Sequence, residues 1–321
     1  MVEVAYVSGV ELAVAGTAFN IMIGRNCSMS DIVRFKGGLG NQMFQYAFMK
    51  SLEKRGRNVT ASLGYYREHP DEMQYELDKV FPNLQVKSEM NAGFFRSYEK
   101  WKLIKKDPAK VEKMRTNVAS RFFWNESLAE HGIFQNAVYD TKECTFTGYW
   151  QSYKYFEDIR EDIVQDFAFE DGEEKLITMI NKIRCSNDFV SVHVRRGDYL
   201  NASDMYGNIC TKEYYSKAIA YMKRVIKNPV FIFFSDDINW VKQEMQMAFA
   251  LYVDKDMFDC YKPWYDMSLM SACSGNITAN SSFSWWGAWL NQRQGHITVA
   301  PQKWLNGAQC TDICPDNWVR M

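Results

Sequence analysis

The alternation in the second half of this chain limits its fold more than any other feature. Short apolar runs at 189–194, 230–234, 250–253, 276–279 and 296–300 are separated by stretches of helical period at 211–227, 238–247, 264–273 and 282–293. Such runs, spaced by helices long enough to return the chain to the same sheet edge, belong to a parallel sheet covered on both faces. The expected class is α/β, with a parallel sheet in the C-terminal half. Ligands in such sheets bind beyond the carboxyl ends of the strands, where loops lead into helices.

A similar unit opens at Asp31: a strand over 31–35, the turn Lys36-Gly37-Gly38-Leu39-Gly40, then a helix over 41–55 closed by Gly56. Strand, glycine turn and helix outline a phosphate site, because the first helical amides have no intrahelical partner. A second strand is expected over 58–63 and a third over 144–150, followed by an amphipathic helix over 152–166. The intervening 64–143 has no clean period, with helices expected near 97–115. A chain of 321 residues is long for one domain and natural for two, and the acidic break at 170–174 is the expected boundary. The expected organisation is an extension over 1–28, a first domain over 29–168 and a second over 169–321. Glu3 and Glu11 interrupt the extension and no basic segment precedes it, so it reads neither as a signal peptide nor as a membrane span; Met29 is the expected original start, with residues 1–28 an upstream misread or a loose tail.

Composition removes several classes. Lys and Arg number 38 against 39 Asp and Glu, for a net charge of −1, so no global field attracts nucleic acid and any polyanion must be held by a local cluster of cations. The eight cysteines show neither a CxxC pair nor a histidine placed to complete a zinc site, as expected of reduced, mostly buried thiols in a cytoplasmic protein. Sequons at Asn26, Asn58, Asn125, Asn201, Asn276 and Asn280 carry little weight without a route into a lumen. Peripheral attachment to the inner face of a membrane is left open, and the oligomeric state is not legible.

The unusual residues fall at the ends of the strands. His193-Val194-Arg195-Arg196-Gly197-Asp198 follows the 189–194 run, and alternation sends His193 and Arg195 to one face, Val194 and Arg196 to the other. A planar guanidinium suits bidentate contact with phosphate oxygens; the bland reading is a surface ion pair with Asp198. The turn Gly38, Gly40, Asn41, Gln42 lets backbone approach a substrate, or is simply a strand-to-helix turn, and it matches neither GxGxxG nor GxxxxGK[ST]. Ser281, Ser282, Phe283 and Ser284 open a helix that could accept a phosphate, although simple capping by Ser281 or Ser282 explains the serines equally well. Asp236 and Asp237 could ligate a metal, cap the following helix or accept from a guanine edge. Adjacent aspartates lack the intervening residue that lets both face one ion, so no metal is expected. Trp285, Trp286 and Trp289 have the spacing of a buried helix face. His69, His131 and His296 show no partner spacing and are expected to be structural.

Together these clusters resemble the α-1,2-fucosyltransferase family of bacterial type. The resemblance rests on Val33 to Ala47, with Gly37-Gly38-Leu39-Gly40-Asn41-Gln42 at its centre, on His193 to Tyr199, on Phe234-Ser235-Asp236-Asp237 and on Asn280 to Trp289, in the family's order. It implies two Rossmann-like domains in a GT-B-like arrangement, the first serving the acceptor and the second binding GDP-fucose. It also implies inverting transfer from GDP-β-L-fucose to the 2-hydroxyl of a galactoside, with no metal cofactor. Carried over, His193 contacts guanine or ribose, Arg195 stabilises the departing GDP, Asp236 or Asp237 reads guanine, and Ser282 to Ser284 donate to the diphosphate, with Arg196 and the glycine turn beside them. Asp198 is the candidate base, since a carboxylate is the usual proton acceptor in an inverting displacement. The rival readings are an α-1,3 or α-1,6 fucosyltransferase and a carbohydrate- or nucleotide-binding relative without turnover.

Overall fold

The structure, a computed structural model, describes residues 30–84, 86–89, 123–141, 143–169, 172–186, 188–197, 199 and 202–321. The expected extension over 1–28, the helices expected near 97–115 and the candidate base Asp198 lie outside the described residues. Asp31–Met321 is one compact unit built on two parallel sheets, so the fold is α/β, as expected of a GT-B-like arrangement. Among the described residues no helix is long and apolar enough to cross a membrane.

The first sheet has five strands in the order β3-β2-β1-β5-β4. They are β1 Asp31–Arg34, β2 Val59–Ser62, β3 Ser88–Glu89, β4 Phe123–Asn125 and β5 Thr145–Thr147, all parallel. The second has six in the order β11-β10-β9-β6-β7-β8: β6 Phe189–Val194, β7 Val230–Ser235, β8 Leu251–Tyr252, β9 Gly275–Ile277, β10 Ile297–Ala300 and β11 Val319–Arg320, again all parallel. All of β6 is buried, because helices cover both faces of a central parallel strand.

The order of strands places the ligand sites. From β6 the chain builds outward through β7 and β8, then crosses back to place β9 on the other side of β6. A crevice opens where the direction of winding reverses, between the carboxyl ends of β6 and β9. The same reversal occurs in the first sheet between β1 and β5.

Helix α1 (Leu39–Lys54) follows β1, α2 (Glu174–Arg184) leads into β6, and α3 (Lys212–Val225), α4 (Ile238–Glu244), α5 (Trp264–Ala272) and α6 (Ser282–Trp289) alternate with the strands of the second sheet. The expected helix over 282–293 ends early because Asn291 is committed elsewhere. Its Nδ2 donates to Cys273 O at 2.7 Å and to Asn276 Oδ1 at 2.9 Å, and its Oδ1 accepts from Arg293 N. The expected strand over 144–150 stops at Thr147, and Trp150 takes a left-handed φ of 55°. The helix expected over 152–166 is two 3-10 turns followed by Arg160–Asp166.

The three tryptophans of α6 are buried as expected, and they join the two halves. Phe44 of α1 lies 4.5 Å from Trp285 and 4.9 Å from Trp286, ring centre to ring centre, and Phe156 stacks on Trp286 at 5.5 Å. One continuous apolar core therefore runs beneath both sheets. Cys144, Cys273, Cys310 and Cys314 are buried free thiols, whereas Cys185 and Cys260 are exposed.

Candidate functional site

Both crevices open on one cavity of about 600 Å³, lined by residues from each sheet. On the first sheet, Gly37 has φ +78°, a conformation that favours glycine and turns the chain after Lys36. Gly40 is required by proximity instead. A Cβ there would sit 2.7 Å from Phe283 N, Ser282 C and Ser282 Oγ. Its carbonyl accepts from Trp286 Nε1 at 2.9 Å, so the glycine turn and the serine turn touch.

Gly38, Gly40 and Asn41 line the cavity, and Gln42 does not. Gln42 is fully buried and bonded to backbone on every side. Its Nε2 donates to Gly37 O and Gln74 O, both at 2.9 Å, while its Oε1 accepts from Glu76 N and Leu77 N. Gln45 plays the same fastening part, exchanging bonds with Lys36 N and O and reaching Gly148 O of the neighbouring loop.

At the end of β6, His193 and Arg195 line the cavity and Arg196 does not, as strand alternation requires. His193 is 5% exposed, and its Nδ1 has no hydrogen-bond partner among the described residues. Burial, then the Arg195 charge, push its pKa down to about 3, so the imidazole is neutral. Arg195 Nη1 lies 3.2 Å from Asp236 Oδ2, and the other oxygen of Asp236 accepts from Arg196 N at 3.0 Å. Asp237 caps α4 by accepting from Trp240 N at 3.1 Å and holds Arg196 Nε at 3.2 Å, while the Arg196 guanidinium lies over the Trp240 ring at 3.7 Å. Arg196 and Asp237 therefore brace the β6–β7 edge outside the cavity, and Asp236 orients Arg195.

Ser281, Ser282 and Phe283 line the cavity; Ser284 does not. The Ser284 hydroxyl accepts from Ala279 N and donates to Ser281 O, both at 3.2 Å. Ser284 thereby closes the turn, and no side-chain cap ties Ser281 to the first amides of α6, where an anion finds donors and the positive helix end.

Asp266 and Glu126 escaped the reading of the sequence, and His131 and Lys36 join them in lining the cavity. Asp266, in the first turn of α5, has an Oδ1 that is buried and unpartnered among the described residues. Burial pushes its pKa up to about 7, opposed by a hydrogen bond with Tyr261 and by the charge of Lys255. Glu126, just past β4, accepts from Tyr149 N at 2.7 Å. His131, expected to be structural, lines the cavity beside it, its Nδ1 3.7 Å from Glu126 Oε2. Lys36 places its ammonium 4.2 Å from the Tyr149 ring centre, its pKa lowered by burial against the opposing charge of Glu126.

A neutral histidine, an oriented arginine, open helix amides and carboxylates facing one cavity between two parallel sheets suit the binding of an anionic leaving group and its displacement by a hydroxyl. The chain belongs to glycosyl transferase family 11, whose sequence pattern matches residues 32–321. It is 34% identical to an alpha-1,2-colitosyltransferase of Escherichia coli over 90% of this chain and 98% of that protein. It is 30% identical to the O-antigen biosynthesis glycosyltransferase WbnK of the same species over 89% and 98%. Human galactoside alpha-(1,2)-fucosyltransferase 1 is 26% identical over 54% of this chain and 50% of its own length. Among solved structures, NodZ alpha-1,6-fucosyltransferase co-crystallised with GDP aligns with a TM-score of 0.45 at 13% identity, covering 80% of this chain and 91% of that one.

Proposed function

We propose that this glycosyltransferase moves L-fucose from GDP-β-L-fucose to the 2-hydroxyl of a terminal galactose in a glycan, with inversion and without a metal. The observation that carries the reading is the meeting of both crevices in one cavity, with Arg195 and the amino end of α6 on one wall and the glycine turn against them. Breaking the bond between the anomeric carbon and the diphosphate leaves negative charge on GDP, and fixed cationic and amide donors stabilise charge where it develops. The 1,2 linkage is supported by the names of two relatives, one a colitosyltransferase and one a galactoside fucosyltransferase. The proposed setting is the cytoplasm, at or near the inner membrane face, in keeping with the O-antigen role in the name of a third.

Asp236 and Asp237, each paired with an arginine, favour a structural part over metal binding. Transfer is therefore expected to proceed unchanged in EDTA, and strict dependence on added Mn²⁺ would overturn the metal-free part. The experiment for the whole reading is incubation with GDP-fucose and a set of β-galactosides, reading GDP release and the linkage of the product. The 34% identity to a colitosyltransferase favours a second reading with a different deoxy sugar in the donor, so GDP-colitose belongs in the same assay.

For the base, Asp266, whose Oδ1 has no partner among the described residues, is a better guanine reader than the two aspartates paired with arginines, because a guanine edge offers N–H donors to a carboxylate. A pH dependence follows. Free Asp266 takes up its proton at about pH 7, against 3.8 for an ordinary aspartate. Its raised pKa stabilises the fold fully below about pH 4, and that contribution is lost as pH rises towards about 7. Guanine donors favour the ionised form, so GDP affinity moves the opposite way, rising with pH and levelling above about 7. Calorimetric titration across this range tests the sign, and Asp266→Asn is expected to flatten the curve and weaken GDP binding about tenfold or more.

A further inference from the structure

We propose that Glu126 is the group that removes the acceptor proton, with His131 Nδ1 as the neighbouring acceptor to which that proton can pass. The inference deepens the reading above and rests on it.

Four described carboxylates line the cavity: Glu76, Glu126, Asp236 and Asp266. Asp236 is occupied by Arg195 and by Arg196 N. Burial holds Asp266 protonated up to about pH 7, and it stands on the wall made by α5 in the second sheet. Glu76 is also pushed towards protonation by burial, against the opposing charge of Lys79, and no hydrogen bond orients its carboxyl among the described residues.

Glu126 differs from all three in how it is held. It follows β4 at the carboxyl edge of the first sheet and lines the same cavity as Arg195 of the second. Oε2 is fixed by Tyr149 N at 2.7 Å and more weakly by Trp150 N at 3.4 Å. Gly148 is tight against the same side chain, where a Cβ would come 2.7 Å from Glu126 Cβ and 2.8 Å from Oε2. Two amide donors thus hold one oxygen of this carboxyl in place, and the buried Lys36 brings a positive charge to the same wall.

The His131 tautomer follows from its neighbours. Trp304 Nε1, which can only donate, bonds Gln151 Oε1 at 3.1 Å, and Gln151 Nε2 donates to Asn41 Oδ1 at 2.7 Å. His131 Nε2 lies 3.0 Å from that same Gln151 Oε1 and must donate to it. A neutral His131 therefore turns a bare Nδ1 towards Glu126 Oε2, 3.7 Å away, where a proton reaching the carboxylate can be shared. Asn41 of the glycine turn thus connects the donor wall to this chain of bonds.

The step balances without a further reagent. The acceptor oxygen forms a bond to the anomeric carbon as its O–H bond breaks, and the proton passes to Glu126. The electron pair of the carbon–oxygen bond to the diphosphate leaves with GDP, beside Arg195.

The test uses the whole enzyme with GDP-fucose and two acceptors, a β-galactoside and its 2-thio analogue, whose S–H is far more acidic. Glu126→Gln keeps an acceptor for the two amides. It is expected to lower kcat for the hydroxyl acceptor by about 10²-fold, leave KM for GDP-fucose unchanged, and lose much less with the thiol. His131→Gln is expected to show the same pattern at about tenfold. Glu126→Asp gives the same reading if the amide variant fails to fold. Turnover within about threefold of wild type, or a penalty independent of acceptor acidity, would overturn the assignment. Failure of the parent reading is separately visible, as an unmodified enzyme that releases no GDP with any galactoside.

Discussion

The Arg195→Ala enzyme is expected to fold normally and to lose about 10³-fold in kcat, since removing one donor to a developing charge costs about two to three orders of magnitude and this donor also carries a full charge. Arg195 stands at the end of a wholly buried strand, so its backbone is placed by β6 and its guanidinium by Asp236 at 3.2 Å. Lysine keeps the charge and loses the planar fork, so Arg195→Lys is expected to recover part of the loss. Steady-state kinetics with a melting curve on each variant checks both. Near-normal turnover in Arg195→Ala would mean that the diphosphate lies elsewhere in the cavity.

Gly40→Val is expected to give the largest loss of stability. Any Cβ at this position meets main-chain atoms of Ser282 and Phe283 at 2.7 Å, and main chain at the start of a packed helix cannot rotate away. Overpacking of this kind costs about 1–3 kcal/mol. Separating the turns also breaks the buried bond from Trp286 Nε1 to Gly40 O, which adds about 1–3 kcal/mol for the stranded N–H. A fall in melting temperature on the order of 10 °C follows for a chain of this size, together with loss of GDP binding. Gly56 supplies the control. It has φ +76° and open space around it, so Gly56→Ala is charged only for left-handed backbone, about 1–2 kcal/mol.

The part of the site carried by β6 and α6 was legible because its flanks are unambiguous. A long buried strand such as Phe189–Val194 states its own end, and the polar residues that follow must then lie at the carboxyl edge. Which polar residues face the ligand was less legible. Gln42 and Ser284 sit in the right turns but direct their hydrogen bonds inward to the backbone, and nothing in a sequence separates a polar side chain that fastens a turn from one that faces its ligand. Glu126 and His131 were missed for a different reason. They follow a strand of three residues, Phe123–Asn125, too short to show alternation and recruited to the sheet only by pairing with β5. Asp266 looked like an ordinary acidic residue in a first helical turn, and only the tertiary structure reveals that its Oδ1 is enclosed.

The aromatic cluster beneath the two turns bears on how this enzyme can move. Many clefts between paired sheets open by swinging about a flexible joint. Here the joint would pass through Phe44, Trp285, Trp286 and Trp289, none more than 3% exposed. Wetting those four rings would cost on the order of 10 kcal/mol at about 1.5–3 kcal/mol each, as much as the whole stability of an ordinary domain. Along this seam the protein therefore behaves as a welded frame. The glycine turn and the serine turn that line the cavity are held against each other by this seam, so a ligand is expected to enter past loops at the rim rather than by the halves parting.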